Sequence, residues 1–353
     1  MEGRKFWPSG LPAYPTDSAT QNTDSRGIPA QYQFCVPIRT QGGSCHFRES
    51  PERTNQMTKE YCFRIADFLL SVRMPDNMDV DRLLPSFRTF RCELPQEPAR
   101  LFDCEVLPLD DALQVILSEE LLETAENEMG IIRLYGRSEE YVLTLASHSG
   151  DVCHILQTDK AFTRLKAFIR MNCTEAGHAL SSLLRIAYSQ AILYHNAVSI
   201  HSAAVYDGTY AYLFMGKSGT GKSTHAALWR EYIPGCGLLN DDNPTLRLAG
   251  NEVRAYGTPW SGKTPCYKQL SFPVAGIVRL QQAPHNKFHQ KIDTDAFIAL
   301  YPGCSFLHKD PILHNRLCET LIRVVQSVRV GVLECRPDSE AVRLCHQELI
   351  KHT

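Results

Sequence analysis

The run HSAAVYDGTYAYLFMGKSGTGKSTHAAL, residues 201–228, places a histidine, an apolar segment and a glycine-rich loop in one line. Gly216-Lys217-Ser218-Gly219-Thr220-Gly221-Lys222-Ser223 fits the phosphate-loop (Walker A) pattern G-x-x-x-x-G-K-[ST]. Glycines let such a loop curl until successive backbone N–H groups point inward at phosphate oxygens. Lys222 would reach the β- and γ-phosphates and the Ser223 hydroxyl would ligate Mg²⁺, with Thr224 completing the nucleotide-binding set. The flanks agree. AYLFM reads as a buried strand, and STHAALWREYI as a helix stopped by Pro234-Gly235. The helix N-terminus adds its dipole to an anion site.

Two further features belong near this loop. Asp207-Gly208 is the preferred dipeptide of a tight hairpin. Counting outward from it, Tyr206 should face Thr209, Ala204 should face Ala211, and His201 should face Phe214, beside the loop mouth. An imidazole there would touch a transferring phosphate or a metal. The apolar run Gly237-Leu238-Leu239 then ends in Asn240, Asp241 and Asp242. A strand ending in acids suits a phosphate loop, because Mg²⁺ takes carboxylate oxygen and a hydroxyl nucleophile needs a base for its proton. Two adjacent acids allow one job each. The competing reading is an Asp-Asp-Asn-Pro surface turn, which Pro244 favours.

The chain that must position these groups has 353 residues, enough for two domains. With 43% hydrophobic and 22% charged residues it reads as an ordinary globular protein. A formal net charge of -2 gives no reason to invoke nucleic acid or an anionic membrane. No apolar run suits a membrane helix, and no signal peptide is evident, so a cytoplasmic location is expected. None of the 13 cysteines forms a Cys-x-x-Cys pair, and most read as small buried hydrophobes in a reducing compartment.

Residues 1–56 are rich in Pro, Ser, Thr, Gly and Asn, and are expected to be a disordered or non-native extension, with Met57 as the biological start. Residues 57–175 read as a β-rich accessory domain, with strands at FRTFRCEL, LFDCEVL, GIIRLYG, EYVLTLAS and DVCHILQT. The segment 161–171 fits either a short helix or a strand. From 176 onward Leu180, Leu183, Leu184, Ala187 and Ala191 share one helical face, leading into an α/β domain over 176–353. The stretch YGTPWSGKTP, 256–265, follows a hairpin and suits a loop near an acceptor, where Thr258, Ser261 and Lys263 would touch substrate or nucleotide. The alternative is a rigid loop packed around Trp260. Arg279, Arg316 and Arg323 are read as ordinary strand or helix charges.

His201, the hairpin, GKSGTGKS and NDD together resemble the catalytic core of the HPr kinase/phosphorylase and phosphoenolpyruvate carboxykinase superfamily. Both branches of that family carry a histidine one strand before the loop and an Asp-Asp pair after the next strand. YGTPWSGKTP looks like a recurring stretch of the divergent HPr-kinase-like proteins, some of which act on peptide precursors such as lasso peptides. The resemblance spans roughly 195–350 and is specific from 201 to 265. It implies an α/β (α+β) P-loop kinase domain preceded by a smaller β-rich domain. It implies ATP and Mg²⁺ as cofactors, and a serine hydroxyl of a peptide or protein as acceptor. Asp241 would be the general base and Asp242 would lie nearer the metal, although the reverse order fits the same residues. A homo-oligomer is compatible with it. The chain lacks the Glu-x-Arg-Gly-type segment of true HPr kinases, and its first half does not read as the oxaloacetate-binding half of a carboxykinase. A carboxykinase-like lyase and a non-catalytic ATP-binding regulator are the rival functions.

Overall fold

The computed structural model describes residues 57–93, 99–109, 120–127, 130–136, 138–148, 153–250 and 252–351. The expected extension at 1–56 lies outside them. In the first half the strands are β1 (Thr58–Ile65), β2 (Phe68–Pro75), β3 (Arg91–Cys92), β4 (Arg100–Pro108), β5 (Glu120–Asn127), β6 (Gly130–Gly136), β7 (Glu140–Ala146), β8 (Cys153–Asp159) and β9 (Arg164–Ile169). They form one 9-stranded sheet in the order β3-β1-β2-β4-β9-β8-β7-β6-β5. Residues 161–171 thus supply a strand, not a helix. A short helix, α1 (Val80–Leu83), and a 3₁₀ helix over Pro85–Phe90 cross between β2 and β3.

That 3₁₀ helix corrects the expectation of a strand at FRTFRCEL. Phe87 and Phe90 lie three positions apart and are both fully buried, which is the repeat of a 3₁₀ turn. Pro85 opens the helix, where a missing N–H does no harm. Among the described residues of FRTFRCEL only Arg91 and Cys92 lie in a strand.

Helix α2 (Ala176–Ala191) carries the predicted apolar stripe, and Leu180, Leu183, Leu184, Ala187 and Ala191 are all buried. The second half follows with β10 (Ala197–Ser199), β11 (Ser202–Tyr206), β12 (Ala211–Met215), α3 (Lys222–Tyr232), β13 (Gly237–Asn240), β14 (Thr245–Ala249), β15 (Glu252–Tyr256), β16 (Ser271–Gln282), β17 (Lys287–Lys291), α4 (Asp293–Leu300), α5 (Pro311–Ser327), β18 (Arg329–Cys335) and α6 (Ser339–Ile350). These strands make a second sheet in the order β10-β14-β15-β16-β12-β11-β13, and β18 pairs with both β16 and β17. The long β16 runs parallel to both β12 and β18. The architecture is therefore mixed α/β with two sheets. No helix of the described residues is long and apolar enough to cross a membrane.

The two sheets share one hydrophobic cluster that includes Leu70, Phe102, Leu183, Tyr188, Leu213 and Leu321. Polar contacts close the seam. The tight β1–β2 turn holds Ala66 and Asp67 at φ 48° and 63°, a conformation disfavoured for side-chain-bearing residues. The turn is secured from the second sheet: Arg247 donates to the Ala66 carbonyl at 2.8 Å, and the Tyr256 hydroxyl donates to Asp67 at 2.8 Å. Elsewhere the buried Tyr141 hydroxyl donates to Asp310 at 2.7 Å, while the same aspartate caps α5 through the Ile312 and Leu313 amides.

All described cysteines are free thiols. Burial pushes the Cys104 thiol up to about 12, so it is a packing group rather than a nucleophile. Burial also pushes two histidines, His154 and His225, down to about 4. Below an ordinary histidine value of 6.5 the unfolded chain takes up protons that the folded chain refuses. Stability should therefore fall as pH drops from 6.5 toward 4 and level off, for these two groups, below that. Urea unfolding at intervals through this window checks the slope, and His225→Phe should flatten part of it.

Candidate active site

The glycine loop sits between buried β12 and α3. Gly219 and Gly221 have φ of 78° and 102°, values that an L side chain rarely adopts, so the curl requires glycine there. Gly221 is the residue before the first turn of α3, whose leading amides have no carbonyl partner within the helix. Lys217, Ser218, Ser223 and Thr224 are exposed around it. Lys222 folds back and donates from Nζ to the Gly216 carbonyl at 3.1 Å. Beneath the loop, His225 is buried, accepts from Trp229 Nε1 at 3.0 Å and meets the Phe214 ring edge-on. Its neutral imidazole anchors the start of α3.

The hairpin before the loop differs from the expected register. Tyr206 pairs with Ala211, Ala204 with Leu213 and Ser202 with Met215. The turn centres on Gly208 and Thr209, with Gly208 at φ 98°. The reason is Asp207. Its carboxylate accepts from the Thr209 and Tyr210 amides at 2.9 and 2.8 Å and from the Tyr212 hydroxyl at 2.6 Å, which holds it at the corner. His201 lies one residue before Ser202, the last position of β11 paired with β12, so it does not face Phe214. Its backbone has left the hairpin and donates to the Gly303 carbonyl at 2.7 Å.

His201 points at Asp242, with Nδ1 3.0 Å from Oδ1. Arg185, from the exposed edge of α2, donates to the other oxygen, Oδ2, at 3.0 Å. Burial alone would raise the Asp242 carboxyl. The His201 hydrogen bond and the charges of Arg185 and Lys222 outweigh it and hold the group below its ordinary value, so it is ionised. The influence of Lys222 ties the acid to the glycine loop. Asp241 faces elsewhere: it is buried and accepts from the Thr264 amide at 3.2 Å.

Asn240 makes this acid pair possible. It is fully buried at the end of β13, and its Oδ1 accepts the Asp242 and Asn243 amides at 2.9 and 2.8 Å. Its amide group donates to the Thr258 and Trp260 carbonyls at 3.3 and 3.1 Å. The turn expected from NDDN is present. It is a side-chain-closed turn, but an inward one that sends Asp242 toward the loop. Thr258 is buried within this knot, bonded to the Asn243 carbonyl at 2.8 Å. Trp260 packs against Phe87 and Tyr188 and donates to the Ser181 carbonyl at 3.0 Å. Thr258 and Trp260 thus serve the rigid-loop reading, Ser261 bonds the Thr264 carbonyl, and Lys263 is exposed.

Cavities open on two sides. One of about 640 Å³ is lined by Lys217–Thr220, Arg279, Gln282 and His285. Another, of about 810 Å³, opens in front of Asp242 and Arg185. Arg316 stacks on Tyr194 and Arg323 bonds Asn196, so both are structural, whereas Arg279 faces the first cavity. Among the described residues no group of three or more His, Cys, Asp or Glu side chains could hold a metal. Mg²⁺ on a triphosphate needs no such group, because phosphate oxygens and water fill most of its octahedron. A Ser223 hydroxyl and one aspartate carboxylate are the hard oxygen donors that fit it.

The sequence alone assigned no role to Arg185 or Asn240. Arg185 lies on the less buried side of a helix read only for its apolar stripe, and no local pattern links it to position 242. Asn240 had a signal: an asparagine before two acids and a proline is the composition of a side-chain-closed turn.

No protein-family model matches the sequence, and no curated protein matches it. Among solved structures, the HPr(Ser) kinase/phosphatase from Coxiella burnetii is 12% identical, over 43% of this chain and 97% of that chain, with a TM-score of 0.27. A likeness of that size carries no weight for fold or activity.

Replacing Arg185 with Met should cost about 1–3 kcal/mol, the usual toll of leaving a half-buried charged acceptor short of a donor. A carboxyl held low stabilises the fold above its unfolded value of 3.8 and loses that contribution as pH falls through its lower folded value. The gap between wild type and Arg185→Met should thus be full at neutral pH and narrow in acid below about pH 4. Urea titrations at pH 7 and pH 3 measure it.

Proposed function

We propose that this chain is an Mg²⁺-dependent kinase that transfers the γ-phosphoryl group of ATP to a hydroxyl of a peptide or protein. The observation that carries the reading is the position of Asp242. This carboxylate is kept ionised at the meeting point of Lys222, His201 and Arg185, and it faces an open cleft.

In this reading the amides of Gly216–Ser223 and the Lys222 ammonium bind the phosphate chain, and the cavity beside Lys217–Thr220 receives the nucleoside. Ser223 and one of the two aspartates would hold Mg²⁺, which when bound neutralises charge on the phosphate oxygens. Asp242 accepts the hydroxyl proton. The hydroxyl oxygen bonds to the γ-phosphorus as the bond from phosphorus to the β,γ-bridging oxygen breaks, and ADP leaves. Each Asp242 oxygen spends one lone pair on His201 or Arg185 and keeps another for that proton. His201 orients the carboxylate and lines the phosphate. The geometry supports Asp242 as base over Asp241, because Asp241 is buried on the Thr264 amide.

Incubation with γ-labelled ATP and proteins encoded beside this gene tests the reading. Asp242→Asn should lower transfer by about 10²–10⁴-fold, the usual worth of a general base, with ATP affinity little changed. Lys222→Ala should lose ATP binding itself. ATP binding with no labelled acceptor would favour a regulator, and turnover of oxaloacetate with ATP would favour a lyase.

A further inference from the structure

The cleft before Asp242 is not built by the nucleotide-loop half alone. One wall is the α1 segment, with Met78 and Arg82, and another is the first turns of α2, with His178 and Arg185. The third is the loop carrying Trp260 and Lys263. A volume of about 810 Å³ lies within the roughly 300–1,000 Å³ usual for ligand sites. The β-rich half thus supplies a wall of the space through which an acceptor must reach the candidate base.

The charges of these walls are unequal in availability. Two acids line the cleft, Asp79 and Asp242. Asp79 is engaged by the Asp81 and Arg82 amides at 2.9 and 3.4 Å. Asp242 is held by His201 and Arg185. Arg82 and Lys263 are exposed on different walls, and neither makes an ion pair among the described residues. Arg82, Arg185 and Lys263 together outnumber Asp79 and Asp242 along the lining, so the cleft carries a net positive charge. Met78, Leu83 and Trp260 give these walls apolar surface that is nearly closed to solvent, and Met171 is an exposed apolar residue of the lining.

We infer that this cleft is the acceptor site, and that it takes a peptide segment whose hydroxyl residue is flanked by carboxylates, which Arg82 and Lys263 engage while an apolar side chain rests against Met171. This rests on the kinase reading and narrows its substrate. Cationic side chains on both walls repel a basic segment and draw an acidic one, an effect that salt weakens.

The test uses the full chain, γ-labelled ATP and two pools of serine-centred dodecapeptides, one with glutamate and one with lysine at the flanking positions. ATP affinity is measured in parallel. Wild type should label the glutamate pool at least tenfold faster than the lysine pool. Arg82→Glu combined with Lys263→Glu should bring the two pools to parity or invert them, mainly through KM, with ATP affinity showing that the fold is intact. Labelling of both pools alike, or a preference unmoved by the double variant, overturns the acidic-acceptor cleft and leaves the kinase reading standing. ATP binding without label in either pool overturns both, and absence of ATP binding overturns the kinase reading at its first step.

Discussion

An ionised carboxylate in a half-buried place is the constraint on which the rest of this structure depends. Asp242 is removed from most of its water, and a charge so placed persists only with partners. Those partners come from three separate parts of the chain: His201 at the end of the hairpin strand, Arg185 on α2, and Lys222 at the start of α3. Satisfying one carboxylate therefore draws together a helix, a hairpin and a glycine loop. The same requirement explains the buried Asn240, which closes the turn so that the acid points inward.

The β-rich half is coupled to this centre through α2 and Trp260. Helix α2 presents Arg185 to the acid and its Ser181 carbonyl to the Trp260 indole, while Phe87 from the 3₁₀ helix meets the same ring edge-on. Trp260 in turn accepts Asn240 at its backbone carbonyl. A short path of packed and hydrogen-bonded groups thus runs from the first sheet to the turn that aims Asp242. The fold uses the first half as a support for the candidate site and as a wall of its cleft.

Legibility in the sequence followed the range of the interactions. The glycine loop was readable because its geometry is local: glycines at the positive-φ positions, an apolar strand before and a helix after lie within one short run. The α2 stripe was readable for the same reason. The hairpin register was not, because Asp207 had two plausible places in a turn and the choice rested on a bond to Tyr212 farther along the strand. The start of FRTFRCEL, residues 87–90, forms a 3₁₀ helix instead of the expected strand because aromatic residues suit both forms, and the burial of Phe87 against Trp260 decides between them.

By itself the sequence determined the elements whose causes are near neighbours: the glycine loop, the strand before it and the helix after it, and an acid pair at a strand end. Only the tertiary structure decided which acid is available. Asp241 and Asp242 are adjacent and chemically alike, and nothing in their local sequence ranks them. Packing turns one onto the Thr264 amide and the other toward Arg185, His201 and the cleft. The choice is made by residues tens of positions away, because a buried charge is stabilised by whatever the fold brings within hydrogen-bonding distance, not by its neighbours along the chain.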